Sequence, residues 1–485
     1  MKKLKELLSF ELSAPECEEI AAVLCDNSEK AVPGCMFITL ASDGKARELH
    51  IREAISRGAK YILQPSENGK NYSETRNGVL FISVKDVRRE SARVASVFFE
   101  RKPEKIAAVT GTNGKTSTVE IARQIWTGLG INAAGIGTLG VITGTGREKL
   151  PGNMTSPDCL ELNGILSRLS ENGITHVAME ASSQGIDQHR IDGLSFDVCA
   201  FTNFSQDHSD YHRTSENYWN AKERLFSEAA PGGSVFVVNS DDERSQRICR
   251  IAADRKIRCV SYGLRSDDIK ILEINSENSR RRVKVFFMGR EFSFLLPLPG
   301  DFQIYNSLCA AAVCYFAGSN AGEIFSRLEE LRPIEGRMEL ITRFNSADIY
   351  VDYAHTPAAL EAALMSLRAR TKNRIITVFG CGGNRDRQKR PLMGKIADMF
   401  SDVTIVTDDN PRNENPAQIR KMITEGCPNA AEIGDRKTAI EFAMKMLSDG
   451  DALLIAGKGH ETFQLTEDGA ADFSDGQVVL NMARK

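Results

Sequence analysis

The sequence predicts an α/β protein of three domains, and three observations carry that prediction. Short apolar runs of strand type alternate with polar stretches of helical spacing along the whole chain. Many of those runs end in glycine or polar residues, where an open α/β sheet exposes its ligand sites. The length, 485 residues, exceeds what one hydrophobic core serves, so two to four domains are expected.

The elements fall into three segments. "PGCMFITL" (33–40), "AKYILQ" (59–64) and "GVLFISV" (78–84) are strands of a small N-terminal α/β domain, residues 1–103, closed by the charged, Pro103-bearing linker "ERKPEK" (100–105). Residues 104–333 form a central P-loop-type doubly wound domain. Its strands are "KIAAV" (105–109), "ITHVAME" (174–180), "FDVCAFTN" (196–203) and "GGSVFVVN" (232–239), and "RRVKVFFMGREFSFLLPLPG" (281–300) reads as a hairpin about Gly289. After "LRPIEGRME" (331–339) a Rossmann-like C-terminal domain, 334–485, carries "DIYVDYA" (348–354), "RIITVFGCGG" (374–383), "DVTIVTDDNPR" (402–412) and "DALLIAGKGHE" (451–461).

The stretch "VTGTNGKTST" (109–118) joins a strand to the helical run "TSTVEIARQIWTGLG" (116–130), whose end is marked by Gly128 and Gly130. It lacks the first glycine of the Walker A pattern, since Val109 stands there. The physical requirements survive. Gly111 and Gly114 let the backbone turn and aim its N–H groups at a phosphate, with Thr112 and Asn113 between them. Lys115 supplies a compact charge and Thr116 a hydroxyl for magnesium, followed by Ser117 at the positive end of the helix. An ordinary βα turn is the alternative, which does not explain the lysine and threonine together.

Bulk properties exclude several classes. A net charge of −3 gives no electrostatic footprint for nucleic acid. The eleven cysteines form no CxxC pair and sit in apolar runs such as "LCAAAVCYF" (308–316), as reduced core thiols of a cytoplasmic protein do. The start "MKKLKELLSFELSA" lacks a signal-length apolar core, and no stretch reaches the length of a membrane span.

Nine stretches in order, "TGTNGKT", "MEASSQGIDQHR", "TNFSQDHSDYH", "YWNAKERLF", "EGRME", "VDYAHTP", "GCGGNRDRQKRP", "TDDNPR" and "GKGHE", resemble the Mur ligase family, and the MurE type in particular, over nearly the whole chain. The resemblance implies an ATP-dependent ligase of the cytoplasm that adds the third residue to UDP-N-acetylmuramoyl-L-alanyl-D-glutamate in peptidoglycan precursor synthesis. A substrate carboxylate takes the γ-phosphoryl group and an amine then displaces phosphate, so negative charge gathers at both steps and cation clamps carry the catalysis.

The resemblance also assigns residues. Lys115, Glu180, His208 and Lys222 match catalytic positions, with Thr116, Glu180, His208 and Lys222 as Mg2+ ligands. Read alone, Glu180 is equally a strand-end surface acid, His208 a turn histidine and Lys222 a solvated helical lysine. At the position of Lys222 the family carries a lysine carbamylated by CO2, a change that turns a cation into oxygen donors suited to a hard metal. Asn306 matches an adenine contact, and Arg337, Asp352 and His355 match nucleotide contacts from the last domain. Ser28, Thr155, Ser156, Ser182, Gln188 and Arg190 match contacts to the nucleotide-sugar peptide. Asn27 and Glu29 depart from the family's D-S-R stretch, which removes a cation from the uridine diphosphate side.

The added amino acid is read from "DDNPRNE" (408–414). In the family D-N-P-R accompanies meso-diaminopimelate, whose far end carries a second ammonium and carboxylate; Arg412 offers a fork for that carboxylate, which lysine lacks. Asp409, Asn410, Arg385, Gly457 and Glu461 match the remaining contacts. Without the family, the same loop is a common turn composition. The chain is expected to act as a monomer. The rivals are a lysine-adding ligase of the same type, a folylpolyglutamate synthase-like ligase, and a noncatalytic nucleotide-binding protein, whose signature would be loss of Lys115, Glu180, His208 or Lys222.

Overall fold

The computed structural model describes every residue except 13–15, 17, 42, 151–153, 278, 279 and 485, so one of the eleven cysteines, Cys17, lies outside the described residues. The chain packs as two compact units whose segments interleave. The first is Met1–Ala108, Ile131–Cys199 and Ala221–Ser234; the second is Val109–Gly130, Ala200–Asn220 and Val235–Lys485.

In the first unit, strands run in the order Leu24–Cys25, Met36–Ile38, Tyr61–Pro65, Val79–Val84 and Tyr72–Arg76, parallel except for the last pair. Alternation sends Tyr61, Leu63, Leu80 and Ile82 to one face, against Leu4, Leu7, Val94 and Ala95. Phe37, Ile62, Val79 and Phe81 pack on the other face with Ile51 and Ala54. Both faces are covered, which explains why these strands read as continuous apolar runs. The same unit holds Arg147–Glu148, Gly140–Ile142, Ala133–Gly137 and His176–Glu180 side by side, the last pair parallel and the others antiparallel.

In the second unit, Val235–Asn239, Arg258–Gly263 and Ile269–Glu277 are parallel, and Arg280–Phe287 and Arg290–Leu296 continue them antiparallel. The hairpin expected about Gly289 is present, with Phe287 opposite Arg290. Its two loop residues, Met288 and Gly289, lie at φ 47° and 91°, as a type I′ turn requires. A six-stranded sheet follows in the order Glu339–Phe344, Ala347–Asp352, Ala452–Ala456, Ile375–Phe379, Val403–Val406 and Ala431–Glu432. Only its first pair is antiparallel. Leu360, Leu364 and Met393 cover one face, and Ala439, Ile440 and Val479 the other. A small hairpin, Phe463–Thr466 with Gly469–Asp472, stands beside the carboxyl ends that carry Asp409 and Asn410.

The ten described cysteines are unbridged, and all but Cys249 and Cys259 are buried.

Candidate functional site

The phosphate loop is built in the second unit. Strand Lys105–Thr110 ends at Gly111, and Gly114, at φ 85°, opens helix Lys115–Gly128. A Cβ on Gly111 would collide with the Thr202 hydroxyl and one on Gly114 with the Asn306 amide, so neither position accepts a side chain. Neighbouring residues pin the loop. Asn113 N–H donates to the Asn203 side chain at 3.0 Å, and the Thr202 hydroxyl donates to the Asn113 carbonyl at 2.6 Å. The Thr112 hydroxyl donates to the Ser205 carbonyl at 3.1 Å and accepts from Ser205 N–H and the Tyr218 hydroxyl. Lys115 curls back, its ammonium donating to the carbonyls of Gly111 and Thr112 at 2.9 Å each, which holds its charge over the loop. Thr116 and Ser117 are buried in the first helical turn.

Residues from far along the chain join this loop. Arg337 donates to the Thr116 hydroxyl at 2.8 Å and stacks over the Tyr353 ring at 4.4 Å, while its buried Nε has no partner. Asn306 is buried and donates to Gln303 at 2.9 Å. Asp352 accepts from the N–H groups of Met338 and Ala354, so it shapes the turn that presents Arg337. Burial pushes its carboxyl up against the opposing pull of Arg337 and those N–H groups. His355 donates Nδ1–H to the Tyr353 carbonyl, leaving Nε2 3.7 Å from Asp207.

Asp207 is a residue that sequence reading missed. It lies beside His208, whose own backbone is left-handed at φ 53°. Burial raises the Asp207 carboxyl, but the hydrogen-bonding His355 ring and the charges of His208, His355 and Lys389 outweigh it. The group is held well below the usual carboxylate range.

In the first unit, six expected residues form one hydrogen-bonded network. Glu180 ends its strand 1% exposed, and its carboxylate accepts from Thr138 N–H at 2.7 Å and the Thr138 hydroxyl at 3.2 Å. Gly137 must be glycine, because a Cβ there would enter that carboxylate. Thr155 bonds the Thr138 hydroxyl at 3.2 Å. Ser156 donates to the Glu180 carbonyl and accepts from Ser182 N–H, and the Ser182 hydroxyl caps the helix Ser183–Asp187. Arg190 donates to the Ser156 carbonyl and Gln188, both at 2.8 Å, and pairs with Asp158 at 3.0 Å.

A cleft beside this network is lined by Asp26, Arg88, Asp158, Gln188 and Arg190. Ser28 is not among its lining residues: its hydroxyl donates to Glu53 at 2.7 Å. Lys222, on helix Ser215–Arg224, is 1% exposed, so the reading of a solvated lysine is corrected: its side chain is buried.

The residues expected to hold the amino acid in the last segment lie in the second unit. Asn410 donates to Glu461 at 2.9 Å and accepts from Lys458 at 3.0 Å and Leu465 N–H at 2.9 Å. Lys458, fully buried, also donates to Glu461 at 2.8 Å. Nothing but its place in "GKGHE" marks this lysine in the sequence. Gly457, at φ 110°, leaves room for the Asp409 carboxylate, 2.7 Å from where a Cβ would stand. Arg412 donates to the carbonyls of Gly383 and Asn410 and has no carboxylate partner among the described residues. Burial, and the charge of Arg385 nearby, depress its pKa. Arg385 itself pairs with Asp210 at 3.2 Å. The guanidiniums of Arg385 and Arg412 and the carboxylates of Asp409 and Glu461 thus bring charges of both signs together.

Taken singly, Thr116, Glu180 and His208 carry donors that suit a hard divalent cation, whereas Lys222 as an ammonium does not and as a carbamate would. Among the described residues no cluster of three or more His, Cys, Asp or Glu gathers as a ready metal site.

Comparison with known proteins gives concordant likenesses. A model of the Mur ligase middle domain matches residues 109–314, and one of the Mur ligase glutamate ligase domain matches residues 336–459. A protein of Bradyrhizobium diazoefficiens named UDP-N-acetylmuramoyl-L-alanyl-D-glutamate--2,6-diaminopimelate ligase is 40% identical over 484 residues, covering 98% of each chain. One of Rhizobium meliloti with the same name is 42% identical over 462 residues, 94% of this chain and 93% of that one. A solved structure of a ligase so named superposes with TM-score 0.70 at 29% identity, covering 100% of this chain and 99% of the other. Folylpolyglutamate synthase of Mycobacterium tuberculosis, complexed with ADP and AMPPCP, shares the fold at 15% identity and TM-score 0.65, covering 76% and 92%.

Proposed function

The chain belongs to the Mur ligase family, and from that premise we propose that it uses ATP to join meso-diaminopimelate to UDP-N-acetylmuramoyl-L-alanyl-D-glutamate. The observation that carries the choice of amino acid is Arg412, half-buried, bonded only to carbonyls and set beside Asn410, Glu461 and Lys458. A guanidinium fork without a carboxylate fits the distal carboxylate of diaminopimelate, and Glu461 fits an ammonium. Lysine would leave that fork unmatched, a loss that a site built on polar partners discriminates strongly.

The reaction follows from the same arrangement. Lys115 and the N–H groups of Gly111 to Thr116 hold the nucleotide phosphates, with Arg337 and Asn306 closing on the nucleotide. The substrate carboxylate attacks the γ-phosphorus, the bond to ADP breaks, and an acyl phosphate forms. The amine then attacks its carbonyl carbon, loses a proton and expels phosphate. Thr116, Glu180, His208 and a carbamylated Lys222 would hold magnesium, which when bound neutralises charge gathering on the phosphates. Asp352 and His355 support the Arg337 turn. Thr155, Ser156, Ser182, Gln188 and Arg190 bind the muramoyl peptide, and Ser28 belongs to the uridine side.

We place domain boundaries at 1–103, 104–333 and 334–485, each matching one run of strands. No described helix is long and apolar enough to cross a membrane. A monomer in the cytoplasm is the form we propose; size-exclusion mass and cell fractionation test it.

Phosphate release with ATP, magnesium and UDP-muramoyl-dipeptide tests the function, comparing meso-diaminopimelate, L-lysine and no amino acid, with mass analysis of the product. A tripeptide product only with diaminopimelate is expected. Lysine dependence would overturn the role given to Arg412, and no product with either would overturn the ligase.

A further inference from the structure

Helix Lys389–Phe400 opens with two buried cations of opposite circumstance. Arg390, 0% exposed, is neutralised by Glu414 through two bonds of 2.7 and 2.8 Å and also donates to the Gly382 carbonyl. Lys389, 7% exposed, has neither a hydrogen bond nor an ion pair within 4 Å among the described residues. Asp386, three residues earlier, spends one oxygen on Gln388 N–H, and its other oxygen is without a partner, so it does not serve Lys389. An ammonium so largely covered and in no direct ion pair among the described residues is open to an anion that arrives to complete it.

The surroundings say which anion. Two residues just before Lys389 lean on the loop 205–210: Gln388 accepts from Gln206 at 3.3 Å, and Arg385 pairs with Asp210 at 3.2 Å. That loop is bonded into the phosphate loop through Ser205 and Thr112 at 3.0 Å. Lys389 acts electrostatically on Asp207, which His208 and His355 already approach at 3.5 and 3.7 Å, while Asp210, the other carboxylate of that loop, is taken by Arg385. With Lys115 and Arg337 bonded to the phosphate loop and its helix, the cations here outnumber these two carboxylates. Such a mouth fits a multiply charged phosphate better than a carboxylate.

We propose that Lys389 is a catalytic residue that contacts the phosphoryl group being transferred, first as the terminal phosphate of ATP and then as the acyl phosphate. This rests on the ligase reading and assigns it one more cation. No proton is transferred to or from Lys389: the γ-phosphorus–oxygen bond breaks towards ADP, the carbonyl carbon–oxygen bond later breaks towards phosphate, and the side chain follows the charge on the phosphoryl oxygens.

Calorimetric binding of ADP and of AMP-PNP with magnesium, to the full chain and to Lys389→Met, tests this without any acceptor or muramoyl substrate. A charge-assisted contact to the terminal phosphate predicts that the variant loses about ten- to a hundred-fold in AMP-PNP affinity, with ADP affinity within about two-fold of the parent. Lys389→Arg should recover part of the loss, and Lys389→Gln reads the same ratio should the methionine variant fold poorly. An unchanged ratio of the two affinities, including equal losses in both, would overturn the proposal. If the parent chain never releases phosphate with any acceptor, the ligase reading fails instead, and the binding ratio still reports on Lys389.

Discussion

Arg337 donates to the hydroxyl of Thr116 across 221 residues of sequence, at 2.8 Å. The bond fastens a residue of the last segment to the first turn of the phosphate-loop helix. Its geometry makes Arg337 a reporter of how the nucleotide is held.

Arg337→Ala removes that guanidinium and its stacking on Tyr353. An increase of about ten- to a hundred-fold in the KM for ATP is expected, with the KM for the amino acid little changed. Steady-state kinetics with each substrate varied in turn would measure it. A change confined to the amino acid would place Arg337 elsewhere in the cycle.

Lys222 is buried, and an ammonium there repels a divalent cation. Lys222→Ala is expected to lower kcat by about 10²-fold or more and to regain part of it in millimolar formate or acetate, which supply the missing oxygens. Assays with and without added carboxylate read this out; full activity in the bare variant would remove the carbamate.

Arg412→Ala should raise the KM for diaminopimelate by about 10²-fold or more while leaving ATP binding within about two-fold. Equal loss for both substrates would point to damaged folding rather than a lost carboxylate contact.

Glu414 gives a pH-dependent prediction. The two bonds from Arg390 hold its carboxyl at about 2, below the ordinary 4.5. A depressed native pKa means that the pair's contribution to stability is complete above pH 4.5 and is lost as the pH falls towards 2. Glu414→Gln leaves Arg390 buried and uncompensated, so a loss on the order of 3 kcal/mol is expected at pH 7. Denaturant melts of parent and variant should converge between pH 4.5 and pH 2; a constant gap across that range would show the pair to be irrelevant.

Strands buried on both faces were legible because the apolar run itself is the signal: "GVLFISV" became Val79–Val84 and "ITHVAME" became His176–Glu180. The strands Gly140–Ile142, Ile269–Glu277 and Glu339–Phe344 went unread, since each pairs antiparallel on at least one side, with exposed or part-exposed positions and little apolar run. At the site, motif residues such as Thr155, Ser156, Glu180 and Arg190 were named in advance and stand in one network. Lys458, Asp207 and Lys389 were not, because a buried charge looks the same in sequence as a solvated one, and only packing separates them. Asp26 and Arg88 escaped for a related reason: they face a common cleft from elements 62 residues apart.

Arg412 holds a left-handed backbone, at φ 53°, where glycine or asparagine would sit with less strain. The conformation costs about 1 kcal/mol for a residue of this kind, and the carbonyls of Gly383 and Asn410 offset part of it. Mutational drift towards a sturdier chain therefore has an easy route here, by replacing the arginine with glycine. An enzyme that keeps it has accepted a weaker loop in exchange for choosing its amino acid, so stability screens run without substrate would select against its specificity.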